Sequence, residues 1–159
     1  MPSPALDAPA PDFTLPGVQL VDGKPVLADY TVSAQRGAPV VLAFYPGDNT
    51  PVCTRQMCSY SSGLEEFAGL GAQVWGISTQ SVDSHVDFAT KHALTLPLLA
   101  DTDSTAIAAY GVGGALGTQR SVFVVDADGV LRWKHVARIG LTYKGTKTLA
   151  GVLRTLTPA

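Results

Sequence analysis

The run PVVLAFY, Pro39 to Tyr45, is apolar along almost its whole length and is followed at once by Pro46. Such a run suits a strand covered on both faces. The residue before a proline is held extended, so the strand ends at Tyr45. After Pro51 the spacing changes: Met57, Tyr60, Leu64, Phe67 and Leu70 recur every three or four residues, one face of a helix, with Gly71 as its stop. A second apolar run, Val74 to Ile77, leads to Ser81 as an N-cap and to Val82, Val86, Ala89 and Ala93 at helical spacing. Strand, helix, strand, helix in that order predicts an α/β sandwich.

The rest of the chain extends the pattern. LPLLAD reads as a strand, Ser104 to Tyr110 as a short helix, and RSVFVVDADGVLRWKHV as two strands around Ala127-Asp128-Gly129. A closing helix is expected over 146–156, with Leu149, Val152, Leu153 and Leu156 inward. Upstream, Val18 to Val21 and Val26 to Ala28 flank Asp22-Gly23, a hairpin signal. Five of the eleven prolines lie in residues 1–16, which therefore read as an extended arm rather than a separate unit. The expectation is a single domain over 1–159: a central mixed β-sheet flanked by helices, with an N-terminal hairpin extension.

Composition narrows the function classes. At 159 residues the chain can bury a core without a disulfide or a structural metal. A formal net charge of −2 with charges of both signs sparse gives no attraction for nucleic acid or an anionic membrane. No basic residue precedes Lys24, and no apolar run is long enough to span a bilayer, so a soluble, cytoplasmic protein is expected. In a reducing compartment a cysteine pair is more often catalytic or metal-binding than a permanent crosslink.

Both cysteines of the chain lie in YPGDNTPVCTRQMC, Tyr45 to Cys58. Thr50 followed by Pro51 is a helix start: the threonine hydroxyl can cap free backbone amides, and proline suits the first helical position. Cys53 then falls in the first turn, where exposed N–H groups and the helix dipole favour a thiolate over a thiol. Cys58, five residues on, is separated by roughly 8 to 9 Å along a helix, beyond the ~7 Å reach of a disulfide. The spacing suits a working pair, bridged only when the helix unwinds, in which Cys53 sulfenic acid condenses with Cys58.

The stretch resembles the active site of peroxiredoxins, and the second cysteine at that spacing resembles the peroxiredoxin Q, or bacterioferritin comigratory protein, subgroup. GISTQSVDSHVDFATKHALTLPLLAD and RSVFVVDADGVL resemble the same subgroup, so the likeness spans nearly the whole chain. It implies a thioredoxin-like fold and an atypical two-cysteine, thioredoxin-dependent peroxidase serving antioxidant defence. By resemblance Cys53 is the peroxidatic thiol and Cys58 the resolving thiol. Pro46, Thr50 and Arg120 shape the peroxide pocket. Gln56 stands where many relatives have glutamate. The implied substrates are hydrogen peroxide and organic hydroperoxides, the implied reductant is a thioredoxin-like dithiol, and a monomer or weak homodimer without metal or other cofactor is expected. Residue chemistry agrees: peroxide cleavage needs aligned donors where charge develops, and Arg120 is a rich, always charged donor. Thr50 can donate and accept to hold the peroxide in line.

Blander readings stand beside these. Cys53 can be an inert core cysteine, Cys58 a packed thiol beside a one-cysteine peroxidase, and Arg120 a surface residue before a strand. Thr50 and Pro46 have structural uses in any protein. His85, His92 and His135 read as surface or packing histidines, and Trp75 and Trp133 as core or sheet-face residues. A thioredoxin-type disulfide reductase would carry C-x-x-C, which is absent. A copper metallochaperone on the same fold would bind metal through its cysteines and a distal histidine.

Overall fold

A computed structural model describes residues 3–48, 50–114, 117–137 and 144–156. The chain opens with a hairpin, β1 (Thr14–Val21) and β2 (Lys24–Thr31), and a 3₁₀ turn (Val32–Gln35) leads into β3 (Val40–Phe44). Then come α1 (Pro51–Ser62), α2 (Leu64–Gly69), β4 (Gln73–Ser78), α3 (Val82–His92), β5 (Leu98–Ala100) and α4 (Thr105–Ala109). A small ladder of β6 (Gly113–Gly114) and β7 (Gly117–Thr118) precedes β8 (Ser121–Val125), β9 (Leu131–Val136) and α5 (Thr146–Leu156).

The main sheet has the order β2-β1-β5-β4-β3-β8-β9. Strands β3, β4 and β5 run parallel, while β1 pairs β5, and β8 pairs β3 and β9, antiparallel. This is the mixed sheet the sequence predicts. Every residue of β3 is buried because helices cover both faces. On one face Val41, Ala43 and Tyr45 meet Met57, Tyr60, Phe88 and Leu153. On the other Val40, Leu42 and Phe44 meet Trp75, Ile107, Tyr110 and Phe123. Among the described residues no helix is long and apolar enough to cross a membrane.

Three local expectations change. The single helix predicted from Pro51 to Gly71 is two, broken at Gly63. A Cβ there would stand 2.5 Å from Cγ2 of Thr146, so the start of α5 packs against the break and leaves no room for a side chain at it. The arm is shorter than 1–16, since β1 already begins at Thr14, and it is not loose. Backbone bonds from Asp7 to Leu131, Leu131 to Ala8 and Ala10 to Gly129 tie it to the β8–β9 hairpin. The two-stranded β6–β7 ladder has no pattern in a glycine-rich stretch by which to predict it.

Gly17 joins the hairpin extension to the domain, pairing Ala28 on one side and Leu99 on the other. A Cβ at this position would lie 2.8 Å from the Leu98 carbonyl oxygen, a backbone atom that cannot swing aside. Gly17→Ala is therefore expected to destabilise the fold by about 1–3 kcal/mol, measured by denaturant unfolding. An unchanged midpoint would show that β1 can lift from β5 at no cost.

Candidate active site

Strand β3 ends at Phe44, and the chain passes through Tyr45, Pro46 and Gly47 towards α1. Thr50 occupies the N-cap in extended conformation with Pro51 inside the first turn. As predicted, Cys53 lies in that turn. The cap itself differs: the Thr50 hydroxyl makes no bond to a helix amide and instead donates to the Gly47 carbonyl at 3.1 Å. With its hydrogen engaged there, the oxygen keeps its lone pairs for an incoming donor.

Cys53 is fully buried, and Arg120, immediately before β8, is 3% exposed. The antiparallel pairing of Phe44 with Ser121 brings the end of β3 beside the start of β8. Arg120 Nη2 donates to Cys53 Sγ at 3.1 Å, and its Nη1 donates to Gln56 Oε1. Gln56, also fully buried, donates through Nε2 to the Tyr60 hydroxyl at 3.2 Å, which in turn donates to the Lys144 carbonyl at 2.6 Å. Both nitrogens of the planar guanidinium fork are thereby aimed, one of them at sulfur. The surface reading of Arg120 fails on its burial.

Pro46 lines a cleft of about 280 Å³ with Thr79, Ser104, Ile107, Gly113 and Thr118. Cys58 is on the same helix as Cys53, half-buried against the core, and both thiols are free. Cys53, Gln56 and Arg120 thus meet, Thr50 stands at the N-cap position of α1 and Pro46 leads into it, while Cys58 stands as a separate thiol on the helix body.

The residues that sequence reading missed lie directly behind this loop. Asp48, Tyr45 and His85 are buried together. The Tyr45 hydroxyl donates to Asp48 Oδ1 at 2.6 Å, the Ser84 hydroxyl donates to Oδ2 at 2.8 Å, and His85 Nδ1 is 2.7 Å from Oδ2. His85 Nε2 is 2.9 Å from the Leu99 carbonyl oxygen. Burial above all, and then the Asp48 charge, holds the Tyr45 hydroxyl well above the ordinary phenol range, so it stays a donor. Of the surface and packing readings, His85 takes the second: it is a packed histidine with both ring nitrogens engaged. A signal existed, because His85 falls three residues after Val82 and four before Ala89, on the apolar face of α3, where a polar ring needs buried partners.

His92 packs edge-on against Phe88 and His135 stacks on Trp133. Among the described residues no three His, Cys, Asp or Glu side chains are gathered in a way that could hold a metal ion.

Residues 6–134 match the AhpC/TSA family. Among curated proteins, the chloroplastic peroxiredoxin Q of Sedum lineare is 40% identical over 125 residues, covering 77% of this chain and 63% of that protein. A putative peroxiredoxin of Mycobacterium tuberculosis is 40% identical over 129 residues, covering 76% of this chain and 77% of that one. The chain thus spans less than two thirds of the Sedum protein. Among solved structures, Mycobacterium bovis AhpC superposes with a TM-score of 0.87 at 24% identity, over 98% of this chain and 94% of that one. The reduced 2-Cys peroxiredoxin of Plasmodium vivax superposes at 0.85 with 19% identity, over 94% of each chain. The expected thioredoxin-like α/β fold stands on these likenesses.

Proposed function

The chain belongs to the AhpC/TSA family, and from that membership together with the Arg120–Cys53 contact we propose that it is a thiol-dependent peroxidase. The single observation that carries the reading is a guanidinium nitrogen 3.1 Å from a buried cysteine sulfur. A charged donor at that distance stabilises a thiolate, and it remains beside the sulfur when charge moves onto the departing oxygen.

In the proposed reaction the Cys53 thiolate attacks one peroxide oxygen of hydrogen peroxide or an organic hydroperoxide. The S–O bond forms as the O–O bond breaks, and the leaving oxygen takes a proton and departs as water or alcohol. Sulfur is oxidised to sulfenic acid. The Thr50 oxygen accepts from the peroxide O–H and holds it in line. Cys58, freed by unwinding of α1, displaces water from the sulfenic acid to give an intramolecular disulfide. A thioredoxin-like dithiol restores both thiols by exchange. A reducing cytoplasm suits this cycle.

The test is anaerobic mixing of reduced protein with one equivalent of hydrogen peroxide, followed by thiol counting and mass spectrometry. Wild type is expected to lose both thiols within one disulfide. Cys53→Ser keeps its remaining thiol, and Cys58→Ser accumulates sulfenic acid. Survival of both thiols for many minutes in wild type would overturn the peroxidase reading. A lasting sulfenic acid in wild type would leave Cys58 a packed thiol.

A further inference from the structure

The proposed chemistry uses neither Asp48 nor His85, although both are buried titratable groups next to the loop that carries Pro46 and Thr50. Burying a carboxyl and an imidazole is costly unless each is fully hydrogen-bonded, so their placement calls for a cause. We propose that His85 is a positioning residue for peroxide reduction: through Asp48 it fixes the Gly47 carbonyl that orients the Thr50 hydroxyl. The inference rests on the peroxidase reading above.

The hydrogen bonds run outward from His85. His85 Nε2 faces a carbonyl oxygen, which can only accept, so that nitrogen carries a hydrogen. Nδ1 faces a carboxyl oxygen at 2.7 Å, so a proton also lies between those two atoms. His85 is thus pinned at both ends, to β5 and to the loop, and its ring cannot rotate without losing both bonds. Asp48 is pinned in turn by Tyr45, Ser84 and His85, while its own backbone N–H donates to Gln80 Oε1. These partners come from the end of β3, the turn after β4, and α3. The peptide joining Gly47 to Asp48 therefore has a fixed plane. Its carbonyl takes the Thr50 hydrogen, and that choice decides where the Thr50 lone pairs point. Loss of the His85 bond would free the peptide and with it the hydroxyl, while leaving the Arg120 contact with sulfur in place.

The two reactions of Cys53 separate these effects. Alkylation by iodoacetamide needs the thiolate but no peroxide geometry, whereas oxidation by hydrogen peroxide needs both. His85→Asn offers an amide where Nδ1 stands and can keep the bond to Asp48. His85→Gln places its amide near Nε2 and loses that bond. Second-order rates of both reactions are to be measured for the two variants, each with Thr50 and with Thr50→Val.

His85→Gln is expected to slow peroxide oxidation on the order of 10- to 100-fold, the usual cost of misplacing a reacting group by about an ångström. Its alkylation rate should stay within about threefold of wild type, and His85→Asn should recover most of the peroxide rate. In the Thr50→Val background His85→Gln should cost less than about twofold, because the residue it acts through is already gone. The proposal is overturned if His85→Gln matches wild type, if both His85 variants slow equally, if alkylation falls in parallel, or if the effect persists undiminished with Thr50→Val. If His85→Gln does not fold, Ser84→Ala, which removes one donor from Asp48 at a half-buried position, takes its place with an expected loss of several-fold and the same tests. Wild type that alkylates normally but ignores peroxide would refute the peroxidase reading itself, a result distinct from every failure of the positioning step.

Discussion

Arg120→Met is expected to slow oxidation of Cys53 by hydrogen peroxide by about 10²- to 10³-fold, as removal of a single preorganised donor does elsewhere. The side chain is 3% exposed, so its charge acts in a site largely shielded from water and salt. Nη2 touches the sulfur, and alkylation by iodoacetamide should therefore fall as well, since the thiolate itself loses a charged partner. Arg120→Lys separates charge from shape. A lysine restores the cation but cannot serve Cys53 and Gln56 together from one plane, so the rate should recover only in part. The measurement is rapid quenching with alkylation of remaining thiol. A loss under threefold in Arg120→Met would show that the helix start alone sustains the nucleophile. Stability should fall by roughly 1 kcal/mol, because Gln56 Oε1 loses a donor in a buried site.

That arginine marks the limit of local sequence reading. Cys53 and Thr50 are adjacent enough for a helix-start argument to place them, and the period change after Pro51 is a local signal. Arg120 has no local signal, and only the family resemblance joined it to Cys53, 67 residues away. The Asp48–His85 pair was not legible for the same reason in stronger form. Asp48 is one of several scattered acidic residues that offer no acid/base pair in the sequence, and the place of His85 on the apolar face of α3 does not say which distant group it meets. What makes them a unit is the parallel pairing of β3, β4 and β5, which sets the end of β3 beside β4, the strand that leads into α3. The need for glycine at the break between α1 and α2 likewise comes from Thr146, at the far end of the chain. Periodicity reports the face a helix buries, not which distant residue presses on it.

Thr50→Val should leave alkylation of Cys53 within about threefold of wild type while slowing peroxide oxidation about 10²-fold, the reverse of a charge effect. Valine keeps the shape but removes the oxygen whose hydrogen goes to Gly47 and whose lone pairs remain for the peroxide. Thr50→Ser keeps that oxygen and should retain most of the rate. The contrast with Arg120 is the informative part. A donor on sulfur serves every reaction of the thiolate, so its loss appears with any electrophile. An acceptor that only aligns the peroxide is invisible to iodoacetamide. Organic hydroperoxides, which keep one O–H, should show the same dependence on the Thr50 oxygen. If Thr50→Val and Thr50→Ser slow peroxide equally, the hydroxyl serves only to shape the loop, and alignment of the O–O bond must come from the backbone amides of the first turn of α1.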